Sequence, residues 1–541
     1  MIMKKKLVIM ALAVLCLGSA NAQTVYDAAK IAGRELNGTA RFVGMGGAMS
    51  ALGGDISTIR TNPAGIGIYR SNDVMATFGY SITSTESNYE GNKFNMDKAR
   101  WTFDNLGFVL STKFGNRTNL RYFNVGFNYQ KRNSFYKNMT MQGLLGAFEG
   151  QYVSQVRYMA QQATDAQKYL HDEWGQQLVY GSKDIYTDEA AGWLGAMGYQ
   201  GWLINEKGDD NLHYYDPVIP NEVDGYFLSR ERGGINEYDF NMAFNINDRF
   251  YLGVTLGAYD VDYNKYSLYD EDYGTGEGYA LNSYNRIHGT GVDLKLGAIV
   301  RPFEYSPLRI GLAVHTPTFY RLTYTTGALL QADLFFDGKQ ETDRVNVDTY
   351  EQLGGRDMDR EFNLVTPWLV NASVGYTVGN SLAVDAEYEY ENYSNMKFRY
   401  PDSGEEMQYE TIGVNNSLKA VHTFKVGAEY KPVSAFSIRA GYNFSSAAFK
   451  KDAIKALPSN SINTDTDFAN TQDMNTFSVG IGYRGSAFYA DLAYKLDTYN
   501  ADFYPFYNEI ETKDGWMLVT PPATKVTTSR SKVMLTVGYR F

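Results

Sequence analysis

The sequence predicts an all-β protein: a transmembrane antiparallel β-barrel of about 14 strands, with an amino-terminal hatch inside its lumen. Three observations predict this fold. The chain is long, with 541 residues, and 15% of them are aromatic. Apolar and polar residues alternate over long runs, which is typical of strands with two unlike faces. The connections between these runs are short and long in turn, as in barrels whose strands cross a membrane up and down.

Residues 1–22 have the features of an export signal. A basic start precedes an apolar run at 7–17, and small residues predict cleavage before Gln23. The only cysteine, Cys16, lies in this segment, so a mature chain without it has no thiol, disulfide or cysteine-bound metal. The net charge of −11 and the lack of a basic run argue against a nucleic-acid surface. We therefore expect an exported protein of the bacterial outer membrane that binds no nucleic acid.

Residues 23–72 precede the first strand, and we expect them to fold into the lumen as a hatch. Small and apolar residues at 48–52 predict a short helix that a glycine pair ends. Asp55 is expected to cap a second turn. The dipeptide at 62–63 ends that turn, and Gly65 permits a sharp reversal of the chain.

Residues 73–541 are expected to form the barrel. From Val74 to Ile82 every second residue is apolar, and similar runs recur down to the carboxyl terminus. Charged residues of these runs fall on the opposite face, which suits a polar lumen. Phe541 continues an outward row, and we expect barrel-assembly machinery to recognise it. The expected inward charges are Asp293, Lys295, Asp385, Glu387, Glu389, Lys425, Glu429, Arg439, Arg484, Asp491, Lys495, Asp497, Lys532 and Arg540.

The connections give the strand count. Six short and seven long connections make thirteen links, and therefore fourteen strands. The stretch 307–335, which Pro317 interrupts, is one bent strand or two. The short connections lie at 115–119, 247–249, 302–307, 379–381, 431–434 and 484–487. The long ones lie at 85–103, 134–236, 263–284, 336–365, 400–417, 450–473 and 501–524.

A secreted soluble β-sandwich is the alternative to a barrel, because it also has one polar face. Two features favour the barrel. About fourteen long strands in an open sheet would leave exposed edges, and in lipid a sheet satisfies every backbone group only by closing.

The longest connection, 134–236, is expected to be a large, partly helical extracellular loop. Apolar residues recur at helical spacing between Met141 and Met159. They indicate either a self-packed loop subdomain or an outward groove for apolar ligands. The predicted ligand-capture residues are Leu144, Leu145, Phe148 and Tyr152.

The string from Gly44 to Gly65 resembles the signature of a known family. It contains Met-Gly-Gly-Ala and, further on, Asn-Pro-Ala, after an export signal and before the first strand. It is similar to the long-chain fatty-acid transporter family (FadL/TodX/OMPP1-type outer-membrane proteins), some of whose members are called haemin receptors. The glycine pair at 53–54 and the size of the loop 134–236 depart from the family pattern. The matching hatch and gate residues are Gly44, Gly46, Gly47, Asp55, Asn62, Pro63, Ala64 and Gly65.

The resemblance implies a monomeric barrel that passes hydrophobic small molecules when its hatch moves. Its surroundings would be outer-membrane lipid and lipopolysaccharide. Passive diffusion is expected, because no motif binds a nucleotide. A lateral exit would require a strand kink, for which Asn124 and Gly126 on the third strand are the candidates.

Other functions leave weaker traces in the sequence. No G-x-S-x-G string occurs, and we expect no enzyme. The five histidines are too far apart to predict a metal pair, so we expect no metal or cofactor. One alternative is a haem receptor that uses His171 or His213 as an axial ligand. The other is a surface binding or structural protein whose barrel displays the large loop.

Overall fold

The structure is a computed structural model. It describes residues 5–6, 23–115, 118–167, 183–188, 191–209, 212–274, 276–335, 343–513 and 515–541. The predicted export signal, with Cys16, lies outside the described residues except for 5–6. Within these ranges, no helix is both long and apolar enough to span a membrane.

Fourteen strands form a closed antiparallel barrel, as predicted. Each strand pairs with its neighbours in the chain, and the last strand pairs with the first. The strands are Asp73–Tyr89 (β1), Asn92–Lys113 (β2), Leu120–Ser134 with Lys137–Leu144 (β3), Asp224–Ile246 (β4), Phe250–Asp272 (β5), Gly278–Val300 (β6), Arg309–His315 with Phe319–Leu334 (β7), Met358–Val365 with Leu369–Val378 (β8), Leu382–Asn392 with Lys397–Arg399 (β9), Ala420–Val433 (β10), Phe436–Ser445 (β11), Phe468–Arg484 (β12), Phe488–Tyr504 (β13) and Thr524–Arg540 (β14).

The stretch 307–335 forms one interrupted strand, β7. Both of its parts pair with β6, on either side of a break at Pro317. The break lies opposite the break in β8, because His315 pairs with Leu369 and Phe319 pairs with Val365. Proline has no N–H to donate, so the ladder loses its regular bonds where Pro317 faces residues 366–368.

The six predicted short connections all join consecutive strands at one end of the barrel, here called the short-turn end. Two predicted long connections are wrong. Residues 85–103 and 263–284 are mostly strand, and only short turns follow Tyr89 and Asp272. The pattern was misleading because these hairpins carry polar residues on both faces.

The two faces of the strands differ as predicted. In β1, Phe78 is 54% exposed on the outside, and Thr77 on the lumen side is fully buried. The terminal Phe541 is 62% exposed. All the predicted inward charges except Arg484 and Arg540, which are half-buried near the short-turn end, are buried.

Residues 23–72, here called the amino-terminal segment, contact the luminal faces of the strands. The segment contains α1 (Val25–Ala32) and α2 (Ala40–Gly44), followed by two 3-10 helices, Ile56–Arg60 and Pro63–Ile68. Thr24 caps α1 through a capping box with Asp27.

The other end of the barrel is covered by the long connections. They contain α3 (Gln155–Gln167), α4 (Trp193–Gln200), α5 (Thr349–Gln352) and α6 (Gln408–Ser417). Three short hairpins accompany the helices: Ala147–Phe148 with Gln151–Tyr152, Ile204–Asp209 with Leu212–Pro217, and Asn508–Thr512 with Gly515–Val519. A further strand, Asp343–Asp348, extends the pairing of β7. The helices α1, α3 and α4 share one apolar core with the upper barrel wall.

Candidate functional site

Ion pairs join the amino-terminal segment to the barrel wall. Lys495 on β13 donates from Nζ to Glu35 Oε1 (2.9 Å) and to the carbonyl oxygen of Leu36 (2.7 Å). Arg530 on β14 donates to the other oxygen of the same carboxylate (2.8 Å). Burial favours the neutral acid, but these two cations dominate and hold the pKa of Glu35 well below its usual range.

A second set of polar contacts lies lower in the lumen. Arg41 donates from Nε to Glu429 on β10 (2.9 Å). The Asp385 carboxylate on β9 accepts the backbone N–H groups of Ala51 (3.1 Å) and Leu52 (2.9 Å). The wall thus holds the segment through hydrogen bonds and charges as well as through apolar packing, and the polar contacts can be exchanged for others.

The glycines of the signature string allow a close approach between backbones. Gly46 has φ +66°, and a Cβ at this position would lie 2.8 Å from the backbone nitrogen of Tyr442 on β11. Gly47 has φ +78°, and its Cβ would meet the Leu36 side chain at 2.7 Å. Gly44 ends α2 against the backbone of Gly480 on β12. Any side chain at Gly46 would push the segment away from the wall.

The rest of the string forms two capped turns. Asp55 caps Ile56–Arg60 by accepting from Ser57 N (3.0 Å), and it also accepts from Thr39 Oγ1 (2.8 Å). Asn62 caps Pro63–Ile68, and its Nδ2 donates to a carbonyl of β6. Ala64 and Gly65 are fully buried in this second turn.

Two local predictions for the segment are wrong. Residues 48–52 form turns, and the short helix lies earlier, at Ala40–Gly44. Gly65 lies inside a 3-10 helix without a positive φ, whereas Gly53 and Gly54, like Gly46 and Gly47, are left-handed. Contacts with the luminal charges determine the backbone conformation of this part of the segment. These contacts come from distant strands and cannot be read from the local sequence.

A cavity of about 360 Å³, here called the inner cavity, lies between α1 and the barrel wall. Aromatic rings from α1, from several strands and from the 446–467 connection line much of it. Tyr26 stacks on Phe449 at 4.7 Å between ring centroids. The lining also contains six cationic and six acidic side chains.

The charges of the inner cavity are largely paired. Lys30 contacts Glu231 at 2.6 Å. Lys265 contacts Asp465 at 2.5 Å and Asp467 at 2.7 Å. A balanced set of this kind presents no net charge to a ligand, so the aromatic surface dominates. Sequence reasoning missed these residues, although Glu231 and Lys265 stand in strands at inward positions.

The predicted ligand-capture residues do not form a helix. Leu144 ends β3 and is 53% exposed, whereas Leu145 and Phe148 are buried in the cap. Tyr152 is half-buried in a two-residue strand. The helical spacing was misleading because Gly143, Gly146 and Gly150 all have positive φ, and the helix begins only at Gln155.

No kink occurs at the two candidate residues of β3. Asn124 and Gly126 keep their pairing with both neighbouring strands. Asn124 instead points inward and donates to the carbonyl oxygens of Ile66 (2.7 Å) and Tyr69 (3.0 Å). A Cβ at Gly126 would lie 3.2 Å from Ile59. Both residues therefore contact the amino-terminal segment.

The haem ligand candidates cannot be placed in the site. His171 lies outside the described residues, and the side chain of His213 does too. Across the described ranges, no group of three histidine, cysteine or acidic residues is arranged to hold a metal ion.

Fold and site together define a closed fourteen-stranded β-barrel with an apolar exterior and a lumen filled by its own amino-terminal segment. Compared with family models and with curated proteins, the sequence matches none.

Solved structures that resemble this chain include a FadL homologue from Pseudomonas aeruginosa, at 12% identity and a TM-score of 0.49. It covers 94% of this chain and 99% of its own. The Ralstonia pickettii toluene transporter TbuX has 12% identity, covers 93% of this chain and 98% of its own, and has a TM-score of 0.44. The CymD monoaromatic hydrocarbon channel has 11% identity and a TM-score of 0.43. The match covers 92% of this chain and 96% of the CymD chain.

Proposed function

We propose that this protein is an outer-membrane channel for passive uptake of hydrophobic small molecules, and that the amino-terminal segment is its gate. One observation carries the proposal. A segment held by exchangeable polar contacts fills the lumen of a closed barrel, directly beside a cavity lined with aromatic rings.

The exterior supports a position in a membrane. On β5 the outward residues are apolar from Phe250 to Ala258, and then Asp260 and Asp262 follow. Nine residues are roughly the length of a tilted strand that crosses the hydrocarbon core of a bilayer. Purified protein is expected to need detergent. Monodisperse protein in plain buffer would contradict this position.

The inner cavity supports a neutral ligand. Because its lining holds as many carboxylates as cations, a long-chain carboxylate finds no net positive charge there. A neutral aromatic or aliphatic molecule has only apolar surface to bury, and it can pack against the tyrosine and phenylalanine rings that line the cavity.

Uptake into liposomes that contain the full chain tests the proposal. The Asp385→Ala change removes the acceptor of two segment N–H groups. We expect faster passage of a neutral aromatic probe and new leakage of small polar solutes. Asp359→Ala is the matched control, because Asp359 is exposed on the outside of β8.

Two results would contradict this function. One is the absence of probe uptake above protein-free liposomes. The other is an Asp385→Ala variant that behaves like the wild type. If removal of residues 145–223, which lie between strands β3 and β4, alone abolished the activity in cells, a surface protein that displays its loop would be the better account.

A further inference from the structure

A second cavity of about 360 Å³ opens at the short-turn end, on the side of the segment opposite to the inner cavity. We call it the basic vestibule. Its lining contains a single carboxylate, that of Glu429. Six cations surround the same space: Arg41, Arg70, Arg309, Lys431, Arg484 and Arg540.

The vestibule differs from the inner cavity in its charge balance. Four of its six cations contact a carboxylate; Arg41 and Lys431, for example, share Glu429. For Arg309 and Arg484, the described residues place no carboxylate within 4 Å. The Arg484 guanidinium lies 5.5 Å from the Tyr489 ring centroid, and Arg309 Nε has no hydrogen-bond partner there. The space therefore has an excess of positive charge.

Two vestibule cations hold the turn of the amino-terminal segment. Arg309 donates from Nη1 to the carbonyl oxygen of Leu52, and Arg41 donates from Nη1 to that of Gly54 (2.8 Å). A carbonyl oxygen is a weaker acceptor for a guanidinium than an anionic oxygen, and arginine binds phosphate or carboxylate through two parallel bonds.

We propose that the basic vestibule is an anion site for a phosphate or carboxylate group that approaches from the short-turn side. The anion binds at Arg309, and Arg484 adds to the positive charge of the same space. Arrival of the anion draws Arg309 away from the Leu52 carbonyl and loosens the turn at residues 52–54. The site stands on its own charges and does not depend on what the channel carries.

Two sources present this chemistry: a free anion and the phosphate of an anionic lipid headgroup. Isothermal titration of the full chain in nonionic detergent with inorganic phosphate tests the first. Titration of the same sample with short-chain phosphatidylglycerol, against short-chain phosphatidylcholine, tests the second. The proposal expects saturable binding in at least one arm that weakens as salt rises. No binding in either arm overturns it.

The variant R309Q/R484Q locates the site. We expect a loss of affinity of at least tenfold, whereas R344Q leaves affinity unchanged, because Arg344 pairs with Asp333 at the opposite end. Equal binding by both variants overturns the assignment.

Hydrogen exchange tests the coupling between the site and the turn in the wild-type protein, so the result does not depend on whether a variant folds. Saturation of the site with inorganic phosphate should speed hydrogen exchange at the backbone amides of residues 52–54. The exchange rates of the α1 amides should stay unchanged. Unchanged exchange at residues 52–54 overturns the coupling between the site and the turn.

Discussion

At the scale of single residues, buried ion pairs hold the lumen together. Lys495 is fully buried and contacts two carboxylates, those of Glu35 and Asp497, at 2.9 and 2.8 Å. Removing one partner of such a group leaves an uncompensated charge, and this is far more costly than the pair is stabilising.

The Lys495→Met change should therefore destabilise the folded barrel by roughly 3–5 kcal/mol. Urea unfolding in detergent micelles measures the loss. Lys525→Met is the control: Lys525 also pairs with an aspartate, Asp502, but the lysine side chain is 66% exposed, and a loss of about 0–1 kcal/mol is expected. Equal losses for both variants would show that the lumen is wet and the pair unimportant.

Glu410 on α6 gives a pH dependence. Burial raises the pKa of its carboxyl to about 7, and Oε1 has no hydrogen-bond partner in the described part of the chain. The folded protein thus holds this proton more tightly than the unfolded chain. The contribution to stability is complete below about pH 4.5 and is lost as the pH rises to about 7.

In Glu410→Gln this pH-dependent loss should disappear. Unfolding measured from pH 4.5 to pH 8 gives the difference in stability between the variant and the wild type. It is expected to grow by roughly 1.4 kcal/mol per pH unit between about pH 4.5 and about pH 7, and then to level off. An identical pH profile for both proteins would mean that Glu410 is solvated.

At the scale of elements, the barrel strands were largely predictable, because period-two alternation reports directly which face meets lipid. Asp73 as the first strand residue and the single apolar row ending at Phe541 both follow from it. Hairpins above the apolar band were not predictable. From Thr83 to Tyr89 both faces are polar, and the strand continues only because of its partners.

The amino-terminal segment was predictable in its caps but not in its path. Asp55 and Asn62 are side chains whose capping roles are local. The position of Gly46 depends on β11, nearly four hundred residues later in the chain, and the inner cavity depends on charges brought together by barrel closure.

A comparison of two glycines in the segment distinguishes the effect of backbone strain from the effect of a close contact with the wall. Gly46 and Gly54 both have positive φ, but a Cβ at Gly54 would meet only Ile68, at 3.7 Å. Gly46→Ala should therefore undock the segment and make it sensitive to protease, and Gly54→Ala should cost only about 1 kcal/mol of backbone strain. Limited proteolysis of both variants compares them. Equal protection would mean that the segment does not rest on β11.

At the scale of the whole molecule, closure of the barrel limits the routes that a solute can take. The barrel has no free edge, so any solute must pass along the lumen or through the wall. The amino-terminal segment occupies the lumen, and hydrogen bonds and ion pairs join it to β9, β10 and β13. In the proposed function, such a segment is a gate that is stable at rest and moves when its hydrogen-bond partners are replaced.

The most direct test is to lock the gate. Ala51 of the segment lies against Gly375 on β8. A Cβ at Gly375 would lie 3.2 Å from that of Ala51, a few tenths of an ångström inside disulfide spacing. Cys16 is the single native cysteine, so a Cys16→Ser background leaves no competing thiol. In A51C/G375C, oxidation should stop uptake of a neutral aromatic probe into liposomes, and a reductant should restore it, while each single-cysteine variant stays active throughout. Uptake that continues unchanged after the disulfide has formed would contradict the claim that this segment gates the channel.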